Sequence, residues 1–159
     1  MSRTVDVTTD GVRIPLARER VADIVRRVLR AEAVADALMS VTFLPASRIA
    51  ALNRRHLGRR GPTDVISFGF VRRRAGDPVI GDIYIAPAVA RTNAAAHGVP
   101  VREEIARLVV HGVLHALGFD HPDGPARTTS PMWRRQEVLL RRVLSPRSAP
   151  PGRRRSRAA

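Results

Sequence analysis

Residues 111–121 read HGVLHALGFDH and place three of the chain's five histidines, His111, His115 and His121, at HxxxHxxGxxH spacing. At about 3.6 residues per turn, His111 and His115 fall on one face of a helix about 6 Å apart along its axis, so both imidazoles can aim at one ion. Gly118 can take the left-handed conformation that ends a helix, turning the next segment back toward that face. His121 then arrives as a third ligand. Three imidazoles leave a tetrahedral zinc ion one position open to water, which is the arrangement of a catalytic site and not of a closed structural one. The plain alternative is a helix with two buried histidines and an unrelated third; the glycine turn and the third histidine weigh against it.

In zinc peptidases of the HExxH type, the residue after the first histidine is a glutamate that serves as general base. Here that residue is Gly112, so a peptidase lacks its proton acceptor, and Gly112→Glu is expected to rebuild HExxH at the metal. The carboxylate inside the motif is Asp120. It is a candidate catalytic residue, either orienting a ligating imidazole or taking a proton from metal-bound water. A turn-forming role beside Phe119 is the competing reading.

The chain has 159 residues, enough for one domain with its own core, and no cysteine, so histidine and carboxylate are the strong ligand types available. That composition fits a reducing cytoplasm. The N-terminus carries no apolar signal-like run and no stretch reaches the roughly 18 uninterrupted apolar residues of a membrane span. All 28 basic residues are arginine and the net charge is +14, which calls for a polyanionic partner, nucleic acid ahead of a membrane surface. Five of them (Arg147, Arg153, Arg154, Arg155, Arg157) follow Ser145 with no acid among them; subtracting five from +14 leaves +9 on the body. The expected organisation is a domain over 1–144 and a disordered, arginine-rich tail over 145–159.

Along the body, Arg3–Thr8 alternates as an edge strand, and Pro15 to about Ala35 is an amphipathic helix with Pro15 in its first turn. Leu38–Leu44 reads as a strand, and Ser47 as the cap of a short helix ending near Leu57. A loop with Gly58, Gly61 and Pro62 follows, bracketed by Arg54, Arg55, Arg59 and Arg60. These four are candidate RNA-binding residues, against the reading of a solvated charged face. Val65–Phe70 and Gly81–Ala86 form strands joined by a hairpin connection; Pro87–His97 is a helix stopped by Gly98; Pro100 opens the metal helix with Glu103 and Glu104 in its first turn. His97 reads as a helix-terminal residue and not a ligand. Residues 122–131, PDGPARTTSP, form a loop long enough to border the site, and Ser130 caps a last helix from Pro131.

With PTDVISF (62–68), GDIYI (81–85) and HGVLHALGFDH in view, and with Met132 and Glu137 after them, the chain resembles the YbeY family of bacterial endoribonucleases and ribosomal RNA maturation factors. The resemblance runs from the first strand to the last helix. It implies an α+β, single-domain fold, a small mixed β-sheet packed with helices around a zincin-like metal helix, and zinc (Zn2+) on His111, His115 and His121. The family usually has an arginine six residues before the threonine of its PTDV segment; that position is Leu57, preceded by His56. One of Arg54, Arg55, Arg59 and Arg60 could supply the guanidinium instead.

The expected function is a metal-dependent endoribonuclease specific for single-stranded RNA, acting on rRNA precursors in small-subunit 3′-end processing and ribosome quality control. Its partners would be single-stranded RNA and the small ribosomal subunit, with no membrane. Phe68, Phe70, Tyr84 and Phe119 are candidates to stack an unpaired base, each with a core role as the competing reading. Two other readings stay open: a zinc-containing ribosome-assembly factor with little nuclease activity, and a zincin-like metallopeptidase.

Overall fold

Strand β1 (Arg3–Thr9) keeps the alternation of its sequence, with Val5 and Val7 half-buried and Thr4 and Asp6 turned outward. It lies at the edge of a four-stranded sheet in the order β1-β2-β4-β3. The computed structural model describes residues 1–70 and 72–145; the expected tail therefore lies, Ser145 aside, outside the described residues. Strand β2 (Ala37–Phe43) pairs in parallel with both β1 and β4 (Val79–Ile85). Strand β3 (Val65–Phe70) runs antiparallel to β4, as a hairpin connection requires. The sheet is mixed and the fold is α+β.

Helix α1 (Arg18–Ala31) crosses over from β1 to β2 and buries Val21, Ile24, Val25, Val28 and Leu29. It is shorter than its periodicity predicts. Ala17 is its N-cap, so Pro15 and Leu16 precede it in a bend, with Leu16 packed on the core from outside the helix. At the other end Ala33 takes φ 56°, and the Val34 N–H closes back on the Leu29 carbonyl, which ends the helix before Ala35. The second helix, α2 (Ala46–Leu57), is capped differently from expectation. Pro45 is the N-cap and its carbonyl accepts from Arg48 and Ile49, leaving Ser47 inside the first turn with no capping bond. Helices α3 (Pro87–His97) and α4 (Val101–Ala116) follow the proline and glycine signals, with Gly98 left-handed at φ 64° between them. After a 3-10 turn over Gly124–Thr129, α5 (Pro131–Leu144) begins with the Ser130 hydroxyl accepting from Trp133 N–H.

Helices α1 and α4 share one core with the sheet face carrying Met39, Val41, Phe43, Ile83 and Ile85, and α5 closes that core with Met132, Leu139 and Val143. Each fully buried side chain of this size contributes about 1.5–3 kcal/mol. Helix α2 sits on the opposite face, where Ile49 packs with Ile66 and Ala86.

The position of α4 is set by missing side chains. A Cβ at Gly69 of β3 would lie 2.4 Å from the Ala116 carbonyl oxygen, one at Gly81 of β4 would lie 2.9 Å from the Ala116 Cβ, and one at Gly112 would lie 2.7 Å from Ile83 Cγ2. Helix and sheet can meet this closely because those Cβ atoms are absent. The Ser67 hydroxyl, two residues before Gly69 on the same strand, donates to the Gly112 carbonyl at 2.7 Å and fixes the helix along its axis.

Candidate metal centre

Helix α4 ends one residue past His115, and Gly118 at φ 99° reverses the chain, with Gly118 N–H donating to the His115 carbonyl and Phe119 N–H to that of Leu114. This is the turn the spacing predicts, and it brings His121 back over the helix. The three ring centroids are 4.6, 4.9 and 5.1 Å apart, and one nitrogen from each ring lies within 4.8 Å of the others.

The outer nitrogens identify the inner ones. His115 Nδ1 is 2.9 Å from the Phe119 carbonyl oxygen and His121 Nδ1 is 3.0 Å from that of Pro122. A carbonyl oxygen only accepts, so both Nδ1 atoms carry the proton and both Nε2 atoms are left with lone pairs. His111 Nδ1 meets Gln136 Oε1 at 2.6 Å in the same sense. The Nε2 atoms of His115 and His121 then face each other at 3.1 Å with no proton between them. Such a contact is repulsive unless a cation lies between the lone pairs. Two nitrogens on one tetrahedral zinc, each about 2.0–2.1 Å from it, would be about 3.3 Å apart. The donor set therefore fits a divalent, nitrogen-preferring metal ion.

Burial keeps His111 and His115 unprotonated. Burial pushes the His111 pKa down to about 4, against the opposing Gln136 hydrogen bond. Burial also lowers His115, helped by the neighbouring His121. Metal binding at neutral pH need displace no proton from His111.

Asp120 is placed differently from an imidazole-orienting carboxylate. Its Oδ1 accepts the His121 backbone N–H at 2.8 Å and the residue is exposed, while the imidazoles are oriented by Gln136 and two carbonyls. Gly112 faces Ile83 and the sheet, so Gly112→Glu would drive its side chain into the core instead of rebuilding a base at the metal.

The four loop arginines do not gather. Arg54 and Arg60 line a shallow cavity of about 550 Å3 with Ser47 and Gly61; Arg55 borders another beside Arg48, the partner of Asp10. Arg59 is the one that reaches the metal segment, 3.9 Å from Asp123. Leu57 is half exposed at the end of α2. Among the aromatic candidates, Phe68 and Tyr84 pack beneath α2, Phe119 packs on the main core, and Phe70 is 54% exposed. Phe70 borders a cavity of about 290 Å3 that includes His115 and Arg72. His97 lies apart from the triad, its Nδ1 donating to the Asn93 carbonyl.

A second cleft, of about 330 Å3, opens on the other side of the cluster, lined by His111, Gln136, Arg107, Arg127 and Trp133. Three of these residues, Gln136, Arg127 and Arg107, escaped sequence reading. Gln136 is 1% exposed on the stripe that also carries Met132, Leu139 and Val143, and a lone glutamine on an apolar stripe is the signal that could have found it. Arg127 stands in an aperiodic loop and gave none. Arg107, one turn before His111, is gripped by Glu104 at 2.9 Å, Glu137 at 3.1 Å and Glu103 at 3.7 Å. Burial would lower its pKa, but Glu137 and Glu104 more than offset that and raise it. This network ties α5 to α4 beside Gln136.

Residues 6–144 match the family profile described as Endoribonuclease YbeY. The chain is similar to Endoribonuclease YbeY of Bacillus licheniformis, 35% identical over 162 residues that cover 94% of this chain and 100% of that protein. It is also similar to Endoribonuclease YbeY of Geobacillus kaustophilus, 39% identical over 113 residues, or 65% of this chain and 71% of the other. Its fold is similar to the solution structure of TM1509 from Thermotoga maritima, with a TM-score of 0.59 at 21% identity, covering 88% of this chain and 89% of that one.

Proposed function

The chain belongs to the YbeY endoribonuclease family, and on that premise we propose that it cuts single-stranded RNA in rRNA precursors, at the 3′ end of the small-subunit RNA, and serves ribosome quality control. The observation that carries the chemistry is the set of three Nδ1 atoms tied to oxygen acceptors, which turns three Nε2 lone pairs to one point. His111, His115 and His121 are the proposed ligands and zinc the proposed ion. When bound, the ion supplies a Lewis acid and an activated water.

The chain's own residues favour a phosphodiester over a peptide. Position 112 has no room for a carboxylate base, which amide hydrolysis needs to return a proton to a poor leaving group. A phosphodiester carries its own charge, and guanidinium groups can stabilise its transition state. Asp120, exposed beside His121, is the carboxylate closest in sequence to the ligands and the candidate to take a proton there. Arg59 and the cavity edge with Phe70 and Arg72 give an approaching strand a cation and an aromatic face. The +14 charge supports RNA and the small ribosomal subunit as partners. No helix among the described residues is long and apolar enough to cross a membrane; a cytoplasmic site of action, a functional body over 1–144 and a tail over 145–159 that adds sequence-independent affinity complete the proposal.

The test is incubation of metal-loaded protein with single-stranded precursor RNA, a duplex of the same sequence and an unfolded protein, each with and without chelator. Chelator-sensitive cutting of the single strand alone is expected. Product ends identify the nucleophile, since a 2′,3′-cyclic phosphate means the ribose attacked. Digestion of the unfolded protein with the RNA left intact would replace this reading with a zincin peptidase; tight RNA binding without cutting would replace it with an assembly factor.

A further inference from the structure

We propose that Arg127 binds a phosphate of the RNA strand beside the metal centre, as a guanidinium clamp on the wall of the cleft that His111 shares. The proposal rests on the endoribonuclease reading and deepens it at a residue outside the metal motif.

The backbone of Arg127 is held firmly. It lies in the 3-10 turn Gly124–Thr129, and its carbonyl accepts from the Ser130 hydroxyl at 2.7 Å and from Ser130 N–H at 3.3 Å. The same hydroxyl caps α5 through Trp133 N–H, so this turn and the start of α5 move together. The guanidinium carbon stands 5.9 Å from the centre of the Trp133 ring, within cation–π range.

What Arg127 lacks is an acceptor. Its Nε is buried with no hydrogen-bond partner, and among the described residues it forms no ion pair. Buried donors are almost always paired, and the guanidinium that carries this orphan lines a cleft with no acceptor of its own, which leaves it free for a ligand. The two acids that line this cleft are already committed. Glu104 holds Arg107, and Asp64 accepts from Val65 N–H and from the Asn93 side chain. Arg107, the other cation on this wall, is spent on three glutamates. Arg127 and His111 line the same cleft. An anion lying between Arg127 and the metal ligands would meet the terminal nitrogens of the guanidinium, which lines the cleft, and the planar fork of that group matches phosphate oxygens.

Trp133 is the single tryptophan of the chain and lies against Arg127, so its fluorescence reports on this site. The probe is a uniformly 2′-O-methylated single-stranded hexanucleotide titrated into metal-loaded wild type, Arg127→Gln, Arg127→Lys and Arg30→Ala over a range of salt. Arg30→Ala removes an equal charge from an exposed residue that does not line the cleft. Arg127→Gln should bind at least tenfold more weakly and lower the slope of log affinity against log salt by about 0.7, the loss of one phosphate contact on a single strand. Arg30→Ala should keep the wild-type slope. In parallel, turnover of cleavable RNA at saturation should fall on the order of 100-fold in Arg127→Gln. Arg127→Lys should recover the salt slope but leave turnover at least tenfold down, because a lysine keeps the charge and loses the fork. Metal content and melting temperature check that each variant is folded; if Arg127→Gln is not, Arg127→Lys against Arg30→Ala decides the matter by turnover. Arg127→Gln with the slope and turnover of Arg30→Ala, within twofold, overturns the proposal and leaves Arg127 as packing for Trp133. If wild type cuts no RNA, the endoribonuclease reading fails, while the fluorescence titration still decides whether Arg127 holds a phosphate.

Discussion

Replacing Gln136 by leucine removes one hydrogen bond from the metal centre with little change in volume. Gln136 and His111 are 1% and 4% exposed, and their contact at 2.6 Å is the one thing that fixes which His111 nitrogen carries the proton. Without the amide oxygen, Nδ1–H is buried and unpaired, a cost of about 1–3 kcal/mol. The ring can escape that cost by moving its proton to Nε2, which removes the lone pair from the metal. Loss of such an orienting partner weakens metal binding about 10–100-fold, or about 1.4–2.7 kcal/mol. Competition for zinc against a chromophoric chelator measures this directly. Gln136→Glu should restore affinity, since a carboxylate also accepts from Nδ1–H. A leucine variant that binds zinc within twofold of wild type would refute the tautomer argument, and with it the reason given for three inward Nε2 atoms.

Gly112→Ala should destabilise the protein by about 1–3 kcal/mol in urea unfolding, because the Cβ meets Ile83 at 2.7 Å, even though alanine gains about 1 kcal/mol of helix propensity; a more stable variant would show that α4 is not seated as described. In the metal-free protein the His111 pKa is held near 4 against an ordinary 6.5. The unfolded chain therefore binds the extra proton first, and stability present above pH 6.5 should fall by about 3 kcal/mol as pH drops to 4. Urea midpoints flat across that window, or equally steep in His111→Phe, would contradict it. Removing residues after Leu144 takes away five arginines, so binding to every polyanion should weaken and the salt slope fall while the bond cut stays the same; sequencing the product ends detects any change.

The parts of this protein that sequence makes legible are those governed by local rules. Gly98 and Gly118 end their helices because a positive φ is needed there, and Ser130 caps α5 because its hydroxyl reaches back to Trp133. The triad was readable for the same reason, since its ligands and the turn between them lie within one continuous stretch. Pro15 and Ser47 misled because proline and serine suit several positions near a helix start, and packing of Leu16 and the Pro45 carbonyl chose among them. For the arginine cluster, adjacency in sequence says nothing about direction: Arg54 and Arg60 turn one way, Arg55 another, and Arg59 toward Asp123. Gln136 and Arg127 lie 25 and 16 residues from His111 in sequence, a gap that no local rule spans.

That continuity of the ligands also sets an order of assembly. His111 and His121 are ten positions apart, while β1 pairs with residues 34 positions away and β2 with residues 42 away. Closing a loop of about ten residues takes about 10–100 ns, whereas folds built on distant strand pairing form in about milliseconds to seconds. A divalent ion can thus be held by the bare histidine stretch long before the sheet, the glycine contacts or Gln136 are in place. An ion that also binds the unfolded chain stabilises the fold by less than its native affinity would give, because only the difference between the two affinities counts. What the native structure adds is Gln136 and burial, and the ion's contribution to stability scales with those.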